Sequence, residues 1–561
     1  MASRAARDAS TGSPPAASHG PVFQTPGAVR RDDRSIFLLQ LDRVTDQPQR
    51  HINPWIIALS VMFATFMEVL DTTVVNVSLP HIAGNLSATV DEATWALTSY
   101  LVANAIVLPM TGWLAGLFGR KRLLMLSVGG FTLASFLCGL APSLPVLVFF
   151  RIVQGATGGA LQPLSQAVLL EAFPPQDRGK AMAFWALGIV VAPILGPVLG
   201  GWLTDNYSWR WVFYINLPVG ITSLVMTQLF IFDPSYIKHS GRRIDYWGLG
   251  LLAVGIGALQ FVLDKGQEDD WFSSNHIVLL SFVAGISLVA LIIHELTTKD
   301  PVVDLRVFKE RSYAVGVFLM TVLGFVLYGS LVLLPIMLQT LLGYPPLQAG
   351  IAMAPRGVGS FVFMPFVGLL TGVVDSRKLL FAGLVIGGST LIWLGQLNLQ
   401  AGYWDIFWPQ WTQGMAMGLL FVPLTTVTMA GISREKMGNA TSLFNLMRNL
   451  GGSVGIAATS TMLARDQVRV AAAIGTHMSP YDVGSQSRLE MLTNGFMAAG
   501  ADAVTALSRA QAALMGELHR QAEMVTFVHI FQLLGGLFVV LSPLVLLMRK
   551  PKGGGGPVAA H

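Results

Sequence analysis

A chain in which stretch after stretch of about 20 apolar residues can cross a bilayer core has few ways to fold. Fourteen such stretches run through these 561 residues, at 54–79, 92–116, 122–141, 145–171, 179–204, 211–232, 246–264, 275–296, 313–340, 347–372, 378–398, 405–430, 440–463 and 525–549. In hydrocarbon every backbone polar group must be bonded within the protein, and these lengths suit helices rather than barrel strands. The expectation is an all-α membrane protein with fourteen transmembrane spans. Charge content agrees: Lys+Arg 36 and Asp+Glu 31 make 12% of the chain, half of the roughly 25% usual for soluble proteins. The net charge of +5 comes with no basic stripe interleaved with aromatics, which excludes a nucleic-acid binder. A lone cysteine, Cys138, excludes an intrachain disulfide and reads as a small packing residue.

Residues 1–53, rich in Ala, Ser, Pro and Arg, read as a disordered cytoplasmic tail, and residues 550–561 as a second one. The first 30 residues hold no apolar signal-peptide core. Lysine and arginine in short loops set orientation. With the N-terminus in the cytoplasm, the six inner loops carry 16 of them and the six short outer loops two, Arg210 and Lys265. Both termini are therefore expected inside a cell inner (plasma) membrane, with the 464–524 segment outside.

Two segments match at an offset of 256: Gly112-Trp-Leu-Ala-Gly116-Leu-Phe-Gly119-Arg120-Lys-Arg-Leu-Leu124 lies over Gly368-Leu-Leu-Thr-Gly372-Val-Val-Asp375-Ser-Arg-Lys-Leu-Leu380. At an offset of 259, Gln154-Gly155 lies over Gln413-Gly414. The expected organisation is an N-terminal six-helix half (54–232), a linker with two extra spans (233–312) and a C-terminal six-helix half (313–549). Parallel repeats with a site between them suit a rocking secondary transporter.

An ionisable group at mid-bilayer costs several kcal/mol, so it needs a reason to be there. The first span holds Glu68 and Asp71, one turn apart on one face, and the fourth holds Arg151. At 1.5 Å per residue, Asp71 lies about 12 Å below the outer end of its span and Arg151 about 9 Å below the start of its own, so the two can meet. Burial favours a protonated carboxyl and a nearby guanidinium the ionised one, so a rearrangement between states can load and release a proton. A static ion pair is the alternative. Arg356 and Arg448, within spans of the second half, read as gating or packing residues. The fifth span, Gly188-Ile-Val-Val-Ala192-Pro193-Ile-Leu-Gly196-Pro197-Val-Leu-Gly200-Gly201, sets small residues every four positions for close helix approach, with two prolines that permit a bend.

Together these runs resemble the fourteen-span drug:proton antiporters of the major facilitator superfamily, the EmrB/QacA type, over roughly residues 54–550. Leu70-Asp71-Thr72-Thr73-Val74-Val75-Asn76-Val77-Ser78-Leu79-Pro80 is similar to the family's first-span motif, in which the Asp is associated with proton coupling. Arg151-Ile-Val-Gln154-Gly155-Ala-Thr-Gly158-Gly159 resembles the fourth-span motif, whose Arg is linked to proton transfer, and Gly188–Gly201 resembles the fifth-span antiporter motif of exporters. The runs Trp209–Gly220 and Arg448–Gly455 are also family-like. The loop after the second span departs from the pattern. Gly112, Gly119 and Arg120 remain, but Gly116 and Leu117 replace the usual Asp and Arg, so an inner charge latch has to use other partners.

From Asp502 onward Ala503, Leu507, Ala510, Leu514, Leu518, Ala522 and Val525 recur at three- and four-residue steps, an amphipathic helix running into the last span. This region looks closest to EmrB-type inner-membrane subunits, which implies a periplasmic membrane-fusion adaptor and an outer-membrane channel as partners, with the helix as dock or as cap of the outer mouth.

The expected activity is proton-coupled export of small amphipathic, toxic and often cationic compounds by alternating access. Tyr100, Gln154, Trp185, Gln339 and Asn445 are the candidate cavity residues. Transport of one metabolite or ion by the same fold, or a non-transport membrane protein, are the alternatives. No Gly-x-x-x-x-Gly-Lys-[Ser/Thr] loop is present, and His294-Glu295 lacks the second His of a zinc site. No cofactor, metal or catalytic residue is expected.

Overall fold

The computed structural model describes residues 53–233, 245–476 and 482–548. Both expected tails and the inner-loop residues Lys238, Arg242 and Arg243 lie outside the described residues. The first half comprises α1 (Pro54–Asn85), α2 (Trp95–Phe118), α3 (Arg120–Gly139), α4 (Leu144–Ala172), α5 (Arg178–Asn206) and α6 (Trp211–Phe230). Two further helices follow, α7 (Tyr246–Lys265) and α8 (Asn275–Thr297). The second half has α9 (Arg311–Leu341), α10 (Pro346–Leu370), α11 (Ser376–Leu394), α12 (Tyr403–Met429), α13 (Met437–Gly475), α14 (Val483–Ala498) and α15 (Ala503–Leu541).

Among the described residues, eleven helices are long and apolar enough to cross a membrane, and twelve if α5, bent by 40° between Pro193 and Val198, counts as one. Fourteen is therefore not reached. The shortfall lies at α12 and α13. α12 buries Gln410, Gln413, Thr425 and Thr428, and α13 buries Thr441, Ser442, Asn445 and Arg448. These polar faces turn inward, which lowers hydropathy without exposing polar groups to lipid.

Several of the scarce carboxylates outside the spans cap helices, where an aspartate oxygen satisfies an N–H that the first turn leaves unbonded. Asp245 accepts from Gly248 N at 2.9 Å, Asp375 from Arg377 N at 3.0 Å, Asp482 from Ser485 N at 2.8 Å and Asp502 from Thr505 N at 3.1 Å. The helix capped by Asp502 runs without a break into the last apolar stretch as far as Leu541, where a 3-10 segment, Ser542–Leu547, follows.

Packing repeats between the halves. α1 lies on α5 and α2 on α4, as α9 lies on α13 and α10 on α12. Glycines allow these approaches: a Cβ on Gly200 would come 3.0 Å from the Val74 carbonyl, and one on Gly451 or Gly455 would strike the carbonyls of Thr321 and Phe325. The halves meet where α2 faces α13 and α5 faces α10.

The extra helix α7 bridges both. Asp264 accepts from Thr98, and Lys265 donates to Thr94 at 2.8 Å, on the side of α2. On the side of α13, Gln260 donates to Ser453 at 2.9 Å and Trp271, just beyond α7, to Thr461 at 2.9 Å.

Candidate functional site

Asp71 and Arg151 meet in the interior of the first half, with Arg151 Nη1 donating to Asp71 Oδ2 at 2.5 Å and neither side chain exposed. The other carboxylate oxygen, Oδ1, accepts from Gln154 Nε2 at 2.9 Å and Asn216 Nδ2 at 2.7 Å. Arg151 is held from three further directions. Its Nε donates to the Ala96 carbonyl at 2.8 Å, its Nη1 to Gln154 Oε1 at 2.9 Å, and its guanidinium lies 4.2 Å from the centre of the Tyr100 ring. A buried charge pair is tolerated when most of its remaining lone pairs and protons are bonded; here four helices supply partners for both Asp71 oxygens and for Arg151 Nε and Nη1, while Nη2 has no hydrogen-bond partner among the described residues. The geometry follows from sequence locally. Gly155 lets α4 press against the Tyr100 carbonyl, where a Cβ would collide, and Arg151 and Gln154 share one helical face at i and i+3. Cys138 sits beside this network, its Sγ 3.6 Å from Gln154 Oε1.

Glu68, one turn before Asp71, belongs elsewhere. Its Oε1 accepts from Asn104 Nδ2 at 3.0 Å, and its Oε2 is buried without a hydrogen-bond partner among the described residues. Gln162 and the charge of Arg448 act on it. Arg448, on α13, donates to Gln162 on α4, and one turn away Asn445 Nδ2 donates to Gln166 Oε1 at 2.7 Å. These are two polar rungs between the halves. Trp185 adds an aromatic one: its ring stacks on Phe421 with centroids 6.2 Å apart, and its Nε1 donates to Thr65 at 3.1 Å.

The five residues expected to line a cavity thus separate. Gln154 and Tyr100 belong to the Asp71–Arg151 network. Trp185 and Asn445 lie between the halves. Gln339 is exposed in the π-helical turn Met337–Leu341 and is not brought to either group. Arg356 is buried on α10 and donates to Ser330 at 3.4 Å.

In the fifth helix Gly188 faces Met62, Gly196 faces Thr73 and Gly200 faces Val74, all on α1, whereas a Cβ on Gly201 would meet nothing within 4 Å. Pro193 sits at the bend, and the side chain of Pro197 lies outside the described residues. Asn216, Asn104, Gln162 and Gln166 were not singled out from sequence. Each is an amide in an apolar stretch, the one signal that could have found them.

At the end of the bundle that carries Arg120, here called the basic end, a Cβ on Gly112 would lie 2.6 Å from the backbone of Asn439, so α2 and α13 touch there. Gly119 has φ 82°, a conformation that favours glycine, and turns the chain into α3. Arg120 pairs with Glu171 and reaches the Arg434 carbonyl at 3.4 Å. Asp304 pairs with Lys436 at 2.9 Å, and Asn439 bonds both backbone groups of Asp304. Gly116 has no carboxylate to offer, and the ion pairs at this end are Arg120–Glu171 and Asp304–Lys436.

A sequence profile of the Major Facilitator Superfamily matches residues 61–456. The chain is 43% identical over 435 residues to the multidrug export protein EmrB of Haemophilus influenzae, covering 77% of this chain and 85% of that protein. It is 39% identical over 508 residues to the fatty acid resistance protein FarB of Neisseria gonorrhoeae, covering 89% and 97%. Of solved structures, the proton:xylose symporter XylE matches with a TM-score of 0.52 at 16% identity, over 87% of this chain and 94% of that one, a likeness of fold alone.

Proposed function

The chain belongs to the major facilitator superfamily, in its EmrB type, and from that premise we propose that it exports amphipathic toxic compounds in exchange for protons by alternating access. The observation that carries this reading is the buried Asp71–Arg151 pair, set one turn from a second carboxylate on which the Arg448 charge of the other half acts. Asp71 is the proton carrier. Arg151 is its partner in the state seen here, and protonation of Asp71 releases Arg151 to its remaining partners Ala96, Gln154 and the Tyr100 ring. A proton that breaks this pair changes how α1 sits on α4 and α6, and α1 also carries Glu68, so the change reaches the seam between the halves. Substrate binds in that seam, near Glu68, Trp185 and Asn445.

In this reading α12 and α13 cross the membrane beside the other twelve, giving fourteen spans, two six-helix halves and the α7–α8 pair between them. The basic end is cytoplasmic, with both termini, and the membrane is the inner membrane. Gly112, Gly119 and Arg120 form the inner gate, with Glu171, Arg434 and Asp304 replacing the missing carboxylate at Gly116. Gly188, Gly196 and Gly200 let α5 slide on α1.

The extension formed by the ends of α13 and α15 with α14 is the dock for a membrane-fusion adaptor, itself leading to an outer-membrane channel. Exposed Val483, Met491, Val504 and Met515 on it support that role, and Arg488–Glu517 pairs α14 with α15 at 2.6 Å. An adaptor that co-purifies equally with a 485–520 deletion would remove the dock.

The deciding experiment places the full chain in vesicles with a pH gradient, adds a panel of dyes and drugs, and records proton release. Export of several compounds, each with proton release that Asp71→Asn abolishes, is expected. A response to a single metabolite would favour the narrower transporter, and a full response from Asp71→Asn would sink the coupling role.

A further inference from the structure

The second half repeats the helix crossing that holds Tyr100 and Arg151, but with different charges. In the first half Gly155 of α4 is pressed against the Tyr100 carbonyl of α2. In the second, Gly414 of α12 is pressed against the Arg356 carbonyl of α10, and a Cβ at either glycine would collide. The positions correspond in sequence. Tyr100 and Arg356 are 256 apart, the offset of the Gly112/Gly368 repeat, and Gly155 and Gly414 are 259 apart. The second offset also carries Arg151 and Gln154 onto Gln410 and Gln413. Both glutamines are buried, Gln410 Nε2 donates to Gln413 Oε1 at 3.5 Å, and Gln410 Oε1 has no partner among the described residues. Where the first crossing sets a tyrosine ring under a guanidinium paired with a carboxylate, the second sets a guanidinium at a crossing whose other polar side chains, the Gln410 and Gln413 amides and the Ser360 hydroxyl bonded to the Gly414 carbonyl, are neutral.

Arg356 is 8% exposed, and its one hydrogen bond among the described residues is Nη2 to Ser330 Oγ, on α9. Its own half offers no counter-charge nearby. No Asp or Glu occurs from Arg311 to Val374, from Ile406 to Arg434, or from Lys436 to Arg465. The other buried arginine within these helices, Arg448, is answered across the seam by Gln162, and its charge also acts on Glu68. A buried cation without a carboxylate costs several kcal/mol, and such a group inside a membrane marks a ligand path more often than a packing contact.

We propose that Arg356, with Ser330 and the Gln410–Gln413 pair, forms an anion site that takes the carboxylate head of an amphipathic substrate. The planar guanidinium matches a carboxylate in a two-point bond, which an ammonium does not. The Ser330 hydroxyl accepts from Arg356 and donates to the Leu327 carbonyl at 2.9 Å, so it donates to the same head group only by exchanging that backbone bond for the new one. This rests on the exporter reading and gives the acidic members of the amphipathic substrates a binding group of their own. The first half meets cations through Glu68, and the second meets acids through Arg356.

The test uses the purified full chain in nanodiscs and measures equilibrium binding of two probes, decanoate and tetraphenylphosphonium, to wild type, Arg356→Gln, Arg356→Lys, Ser330→Asp and Ser330→Asn. The ratio of decanoate to cation affinity falls at least about tenfold in Arg356→Gln and less in Arg356→Lys. Ser330→Asp, which supplies an internal carboxylate, removes decanoate binding with Arg356 still present, while Ser330→Asn retains it. If Arg356→Gln does not fold, the Ser330 pair decides alone. Equal losses for both probes, unchanged decanoate binding, or complete displacement of decanoate by chloride at cellular concentration would overturn the site. Proton-coupled export is read separately in vesicles. Its absence in wild type would overturn the exporter reading, while the binding ratio would still decide the anion site.

Discussion

Glu68 and Asp71 stand one helical turn apart on α1 yet answer to different parts of the molecule. Asp71 is bonded on both oxygens by Arg151, Gln154 and Asn216, all of the first half. Glu68 spends one oxygen on Asn104 and turns toward Gln162 and the Arg448 of the second half. A single helix thus carries one carboxylate bonded entirely within a half and one that the charge of the other half reaches.

Removing Arg151 leaves Asp71 buried without its cation. Arg151→Ala is expected to destabilise the protein by about 3–5 kcal/mol, the usual cost of breaking a buried pair from one side. Asp71→Asn keeps a neutral group that can still bond Gln154 and is expected to lose proton release with a smaller stability cost. Chemical denaturation in detergent beside proton flux in vesicles separates the two. Equal destabilisation by both would argue for a purely structural pair.

Glu68→Gln is expected to behave unlike Asp71→Asn. It preserves the bond to Asn104 but removes the charge at the seam, so affinity for cationic substrates falls about tenfold while bound substrate still drives proton release. Dye binding and proton release measured on the same preparation check this. Complete loss of proton release would merge the two carboxylates into one functional unit.

Gly112 and Gly201 offer a matched contrast. A Cβ at Gly112 would sit 2.6 Å from the Asn439 backbone, so Gly112→Val should hold the basic end open. Nothing lies within 4 Å of a Cβ at Gly201, and Gly201→Ala should leave transport intact. Spin-label distances across α2 and α13 at the basic end, taken for both variants, would show a longer separation for the first alone.

Trp185 joins the halves through Phe421 and holds α1 through Thr65. Trp185→Ala should cost about 3–5 kcal/mol by opening a cavity, and Trp185→Phe should cost about 1–3 kcal/mol, the bond to Thr65 together with the smaller void left by the indole. Thermal unfolding in detergent resolves the series. A neutral Trp185→Ala would mean the ring is not packed in the populated state.

Much of this was legible in the chain itself. A helix in lipid must be apolar over a fixed length, so composition alone determined the fold class, and a charge inside such a helix is costly, so Glu68, Asp71, Arg151 and Arg356 stood out by position. The repeat at 256 and 259 residues carried the two-fold plan. Tertiary structure decided what those charges touch. Hydropathy is one number per residue and carries no direction, so it could not tell that the polar residues of α12 and α13 face inward, or that Gln339 turns out and Gln166 in. Nor could it pair Asp71 with Asn216 across 145 positions, because a hydrogen bond depends on angle and distance that only the packed helices set. The scarcity of charge belongs to the sequence, and the partner of each charge belongs to the fold.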